Sequence, residues 1–255
     1  MMLSVNELKF MYRNRQVLKE ISFSIERGQV IAVLGPNGVG KTTLLKCLNR
    51  ILRPRDGTVF LDEENLLDLS TMDIARRVGY VPQRVETGRL TAFDAVLLGR
   101  RPHIGWDITS RDLAIVDAIF TKLGMEAHRL AYIDEMSGGE LQKVAIARAL
   151  VQEPKILLLD EPTSNLDLKN QVDILTTIRD IVRDHKIAAI MTMHDLNQAL
   201  RFADTFIFIK NGTVYIHGNH DIVTPAVIED VYGLPVMIGE LGGVRCVVPS
   251  TCKIT

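Results

Sequence analysis

The chain has 255 residues, of which 47% are hydrophobic and 24% charged, and its formal net charge is −1. That composition belongs to a globular protein with a substantial core, in one large domain or two small ones, and the near-neutral balance gives no bulk reason to bind nucleic acid or an anionic membrane. No basic stretch precedes a long apolar run at the N-terminus, no run approaches the roughly 18 residues of a membrane span, and Cys47, Cys246 and Cys252 form no CxxC pair, so the chain reads as cytoplasmic, with any membrane role supplied through a partner.

In chain order, Leu3–Phe10 and Val17–Ile25 read as two short strands joined by the polar Arg13-Asn14-Arg15. The apolar run Val30–Leu34 leads into Gly35-Pro36-Asn37-Gly38-Val39-Gly40-Lys41-Thr42-Thr43, and an apolar segment with Leu44, Leu45, Cys47, Leu48, Ile51 and Leu52 follows. Strand, glycine-rich turn and helix form the context in which GxxxxGK[ST] becomes a phosphate-binding loop. Its backbone N–H groups and the helix N-terminus converge on an anion. Lys41 is placed to reach the β- and γ-phosphates, and the Thr42 hydroxyl to complete a Mg2+ shell. Arg53–Gly57 reads as the loop ending this helix, Thr58–Leu61 as a strand, and Gly79–Val81 as a short strand stopped by Pro82.

From about residue 84 to 150 the texture is helical. Thr91–Asp94 starts a helix through Leu98, and Ser110 is placed to cap a second, with Leu113, Val116, Ile119, Phe120 and Leu123 on one face and Gly124 at its end. Ser137-Gly138-Gly139-Glu140 opens a third and by itself is a Ser-x-x-Glu capping box. Arg100-Arg101 reads as a local surface feature, without the wider basic stripe that nucleic acid would need.

Alternation then returns. Ile156–Asp160 is an apolar strand ending in a carboxylate, with Glu161 next to it; opposite a phosphate loop, Asp160 suits a Mg2+ ion and Glu161 suits activation of water. Asn170–Arg183 reads as helix, Ile187–Met193 as strand and Asp195–Phe202 as helix. Asn211-Gly212 between Thr205–Lys210 and Thr213–His217 is a hairpin signal. Thr224-Pro225 starts a last short helix, and a small strand appendage follows from Met237. His103, His217 and His220 match no metal-ligand spacing and read as surface histidines.

Six motifs in order identify the chain by resemblance as similar to the ATP-binding subunits of ATP-binding-cassette (ABC) transporters, over roughly residues 3 to 225. Gly35–Thr43 resembles the Walker A loop, Gln83 the Q-loop glutamine, Met136–Glu140 the LSGGQ signature, Ile156–Glu161 Walker B, Ser164–Asp167 the D-loop, and His194 the switch histidine. The resemblance implies an α/β fold: a P-loop NTPase core with a mixed, largely parallel sheet, an N-terminal antiparallel β subdomain, an inserted helical subdomain (84–150) and a small C-terminal appendage (226–255), all within one nucleotide-binding domain. It implies ATP and Mg2+ as ligands, with Gly35, Pro36, Asn37, Gly38, Gly40, Lys41, Thr42 and Thr43 on the phosphates and Tyr12 stacked on adenine. Thr42, Gln83 and Asp160 would hold the metal, and Glu161, His194 and Gln83 would act on the attacking water and the γ-phosphate. Ser137, Gly138, Gly139 and Asp167 would serve the ATP of a second copy in a head-to-tail homodimer.

Two departures from the pattern stand in the signature: Met136 for Leu, an apolar exchange, and Glu140 for Gln, which brings a negative charge near a triphosphate unless the carboxylate turns back onto Ser137. Leu98–His103 and Gly242–Pro249 resemble the branch importing iron–siderophore complexes, haem and vitamin B12. That branch implies a peripheral subunit on the cytoplasmic face of the membrane, an integral permease, and indirectly an extracytoplasmic substrate-binding protein, with no nucleic acid. The alternative is a family member without a permease, such as an iron–sulfur cluster assembly component. Chromosome-organising members carry long coiled coils, whereas here about 100 residues separate Walker A from the signature. A P-loop nucleotide kinase or GTPase would need neither Ser137–Glu140 nor His194.

Overall fold

The computed structural model describes residues 2–250; Cys252 lies outside them. The chain begins with two long antiparallel strands, β1 (Leu3–Tyr12) and β2 (Arg15–Ile25), followed by β3 (Val30–Leu34) and helix α1 (Lys41–Leu48). This helix is shorter than the apolar pattern suggested. Asn49 closes it, and Ile51 is exposed in the loop beyond. Next come β4 (Asp56–Leu61), β5 (Glu64–Asn65), α2 (Thr71–Ala75) and β6 (Val78–Val81).

The helical stretch holds α3 (Ala92–Leu97), α4 (Ser110–Lys122) and α5 (Gly138–Leu150). Thr91 caps α3 as expected, but α4 is capped by Thr109, with Ser110 its first residue. The Thr109 hydroxyl accepts from the Asp112 N–H while the Asp112 carboxylate takes the Thr109 N–H, and this reciprocal pair selects threonine over the neighbouring serine. Leu113 is partly exposed, so the buried face of α4 rests on Val116 and Phe120. Then follow β7 (Ile156–Asp160), α6 (Leu168–His185), β8 (Ala188–Thr192), α7 (Leu196–Phe202), β9 (Thr205–Lys210), β10 (Thr213–Gly218), α8 (Pro225–Tyr232), β11 (Val236–Leu241) and β12 (Val244–Pro249).

Ten strands form one sheet in the order β5-β4-β1-β2-β10-β9-β3-β8-β7-β6, with β9, β3, β8, β7 and β6 parallel and β1 antiparallel to both β2 and β4. A parallel sheet is covered on both faces, and the period-2 alternation of its strands divides two cores. Ala32, Leu34, Leu157, Leu159, Met191 and Phe208 face the helices α3 to α7. Ile31, Val33, Ile156, Leu158, Ile190 and Ile207 face α1 and the antiparallel strands. Asn211 and Gly212, both at positive φ, make the tight turn between β9 and β10. Strands β11 and β12 form a separate hairpin whose Val236 and Val247 are buried against the main body.

Candidate nucleotide site

The site lies at the carboxyl ends of β3, β7 and β8, where an open α/β sheet characteristically binds ligands. Gly35 leaves β3 at φ 147, and a Cβ there would stand 2.4 Å from the Ile209 carbonyl oxygen, so no side chain fits. Gly40 opens α1 at φ 114, in the left-handed region. Between them the loop curls around the Lys41 ammonium, which donates to the carbonyls of Gly35 at 2.7 Å and Pro36 at 3.2 Å. Burial holds the Lys41 pKa below the usual lysine value, opposed by the charges of Glu161 and Asp160.

Asp160, at 1% exposure, ends β7. Its Oδ1 accepts from the Thr42 hydroxyl at 2.9 Å and from the Thr192 hydroxyl at 2.8 Å, the second reaching across from β8. Thr192 in turn accepts the Glu161 N–H at 2.8 Å. Glu161 has φ +50, unusual for a residue with a side chain. That turn directs its carboxylate between two partners. Gln83 Nε2 donates to Oε2 at 2.6 Å, and His194 Nε2 stands in hydrogen-bond contact with Oε1.

Tyr12, Asn37, Gly38, Gly40, Lys41, Thr42, Thr43, Glu161 and His194 line one open cleft of about 350 Å3. Tyr12 stands partly exposed at its rim, edge-on to Phe10 at 4.8 Å between ring centroids. Gly35, Pro36, Gln83 and Asp160 join the cleft through the bonds just given. Ser137, Gly138, Gly139 and Asp167 do not line it. They gather elsewhere: Ser137 caps α5, Asp167 caps α6 by accepting the Asn170 N–H at 2.8 Å, and a Cβ on Gly139 would meet the Asn170 side chain at 2.9 Å. The Glu140 carboxylate is turned back as the capping pattern expects, with Oε2 accepting the Ser137 N–H at 2.9 Å.

A strand, a phosphate-type loop, a carboxylate at the end of a neighbouring strand and a facing glutamate, glutamine and histidine now stand together. The family model for ABC transporters matches residues 18–164. The chain belongs to the ABC transporter family. An uncharacterised ABC transporter ATP-binding protein of Methanocaldococcus jannaschii is 51% identical over 249 residues, 98% of each chain. The iron(3+)-hydroxamate import ATP-binding protein of Bacillus subtilis is 36% identical over 90% of this chain and 87% of its own. Among solved structures, an ABC transporter described as of metal-chelate type, in an inward-facing conformation, superposes with TM-score 0.85 at 29% identity, over 97% of this chain and 96% of that one. The cassette binds nucleotide, and its activity is ATP hydrolysis coupled to transport.

Sequence reading missed three residues. Thr192 carries no motif, although a hydroxyl closing the apolar run Ala188–Met191 was a visible signal. Tyr232 of α8 accepts the Gly35 N–H at 2.9 Å, and burial pushes its phenol up to about 12. His128 contacts Glu140 at 2.8 Å. Arg100 corrects the expectation of a surface pair. At 3% exposure it donates to Asp112 at 3.0 Å, Glu153 at 2.8 Å and the Val151 carbonyl at 2.6 Å. Nor are His217 and His220 surface residues: both are half-buried, and His220 contacts the Leu200 carbonyl.

Proposed function

We propose that this chain dimerises head to tail around two ATP molecules and powers a separate membrane permease that takes up iron chelates or chemically similar metal complexes such as haem or cobalamin. The observation that carries the reading is the Glu161 carboxylate, held by Gln83 and His194 beside the Lys41 loop. Glu161 accepts the proton of the attacking water, Gln83 orients that water, and His194 senses the γ-phosphate. Lys41 neutralises phosphate charge, with the backbone of Gly35–Thr43 around it, and Tyr12 stacks on the base. Ser137–Gly139 offer a helix N-terminus to the nucleotide held by the second copy, with Asp167 nearby.

The donor set fits Mg2+. Thr42 Oγ1 and Asp160 Oδ1 are hard oxygen donors 2.9 Å apart that would hold the ion, and the Gln83 amide oxygen would supply a third. Bound there, the ion would neutralise charge developing on the phosphates.

Likeness to import subunits and the surface of the helical stretch both support uptake through a permease. There Leu90, Leu98, Trp106 and Ile108 are exposed around a shallow, largely apolar groove of about 520 Å3, a surface suited to a permease loop. Among the described residues no helix is long and apolar enough to cross a membrane.

Glu161→Gln tests the catalytic assignment. Removing a general base costs about 10^2 to 10^4-fold in rate. We expect steady-state hydrolysis to fall by that order while ATP affinity holds and an ATP-dependent dimer accumulates in sedimentation. Turnover at the normal rate would sink the assignment. Isolation of the tagged chain from its host's membranes tests the transporter reading, with a many-spanning permease in equal amount as the expected companion.

A further inference from the structure

Glu140 stands where the signature of the family has glutamine, and its surroundings explain how a carboxylate is tolerated there. Its Oε2 accepts from both the Ser137 N–H at 2.9 Å and the Ser137 hydroxyl at 2.7 Å, while Oε1 faces His128 Nε2 at 2.8 Å. The Ser137 hydroxyl therefore gives its only proton to Glu140, and it receives the Glu140 N–H at 3.4 Å in return. His128 lies on the short 3-10 turn Glu126–His128. Its Nδ1 is buried without a partner among the described residues, so the ring meets the site through the hydrogen on Nε2.

A hydroxyl has one proton to donate. To bond a phosphate on a second copy, Ser137 must release Glu140, and a charged acceptor holds a donor about twice as strongly as a neutral one. Every other donor to the carboxylate weakens that hold. We propose that His128 is a positioning residue for the signature: by occupying Oε1 it draws charge from Glu140, weakens the hold of Oε2 on the Ser137 hydroxyl so that it is released more readily to the partner's nucleotide, and so tunes the affinity of the ATP-bound dimer. The proposal rests on the head-to-tail reading above.

The test is a double-mutant cycle in the Glu161→Gln chain, with the dissociation constant of the ATP-dependent dimer as readout. We expect Glu140→Gln to tighten the dimer by about fivefold and His128→Ala to loosen it by about the same factor, each corresponding to about 1 kcal/mol. In the Glu140→Gln chain, His128→Ala should change affinity by less than about twofold. A loss from His128→Ala that is equal in both backgrounds, as a defect in folding would give, overturns the proposal, and so does no loss in the first. If the Glu161→Gln chain forms no ATP-dependent dimer, the head-to-tail reading falls and takes this proposal with it; a normal dimer with an additive cycle removes the proposal alone.

Discussion

At the scale of single residues, the site is built from short side chains that hold one another. Thr192 is the joint between strands, because one hydroxyl both donates to Asp160 and accepts the Glu161 N–H. Thr192→Val keeps the shape and removes both bonds, leaving a partly buried N–H without its partner at a cost of about 1–3 kcal/mol. Because that N–H belongs to the turn that aims Glu161, the rate should fall about tenfold or more while ATP affinity shifts less than about threefold. Steady-state kinetics beside a fluorescent-nucleotide titration would measure both, and an unchanged rate would remove Thr192 from the site. The phosphate loop was legible because its chemistry is contiguous: nine residues contain the turn, the cation and the hydroxyl. Thr192 was not, since its partner lies 32 residues away and only pairing of β7 with β8 brings them together.

At the scale of elements, two polar clusters fix helices against one another. Arg100, just after α3, ties Asp112 of α4 to the chain following α5. Removing one partner of a buried pair costs about 3–5 kcal/mol, so Arg100→Ala should lower the denaturation midpoint sharply. Arg101→Ala, at an exposed position, should stay within about 0.5 kcal/mol. Asp112 gives this cluster a pH signature. Bonds from the Thr109 hydroxyl and N–H, then from Arg100, hold its carboxyl down to about 2 from the ordinary 3.8. A depressed acid contributes stability that is complete above its unfolded pKa and is lost as pH falls toward the folded one. The wild type should therefore lose stability between about pH 4 and pH 2 more steeply than Asp112→Asn, as acid titrations followed by circular dichroism would record. In the sequence Arg100 was indistinguishable from Arg101, because burial there depends on how three helices pack and not on any local pattern. The second cluster is a ring. The Thr163 hydroxyl donates to Gln198 at 3.3 Å, Gln198 to Gln171 at 2.5 Å, and Gln171 back to the Thr163 and Leu166 carbonyls at 3.5 and 2.9 Å. It ties α7, which follows His194, to the turn between Glu161 and Asp167. Gln198→Leu should lower the hydrolysis rate with little effect on ATP affinity, and parallel losses in both would show a general defect instead.

At the scale of the whole molecule, the parallel core and the β9–β10 hairpin were legible from alternation and turn residues, and the C-terminal strands only as a small appendage. The exposed groove beside α3 was not, since its apolar residues are scattered over Leu90 to Ile108 and look like ordinary core. Trp106, the chain's single tryptophan, stands fully exposed there and gives a direct probe. Its fluorescence should be that of a solvated indole in the isolated chain and shift to the blue when the chain docks on permease-containing vesicles; an unshifted spectrum on docking would place the contact elsewhere. The grip on Glu161 has a consequence at this same scale. Both oxygens of Glu161 are engaged, one by Gln83 and one by His194, and these partners come from the ends of two different strands, so the two segments together fix which side of the carboxylate water can meet. A shift of the segment after β6 or of the segment after β8 would thus be felt directly at this carboxylate.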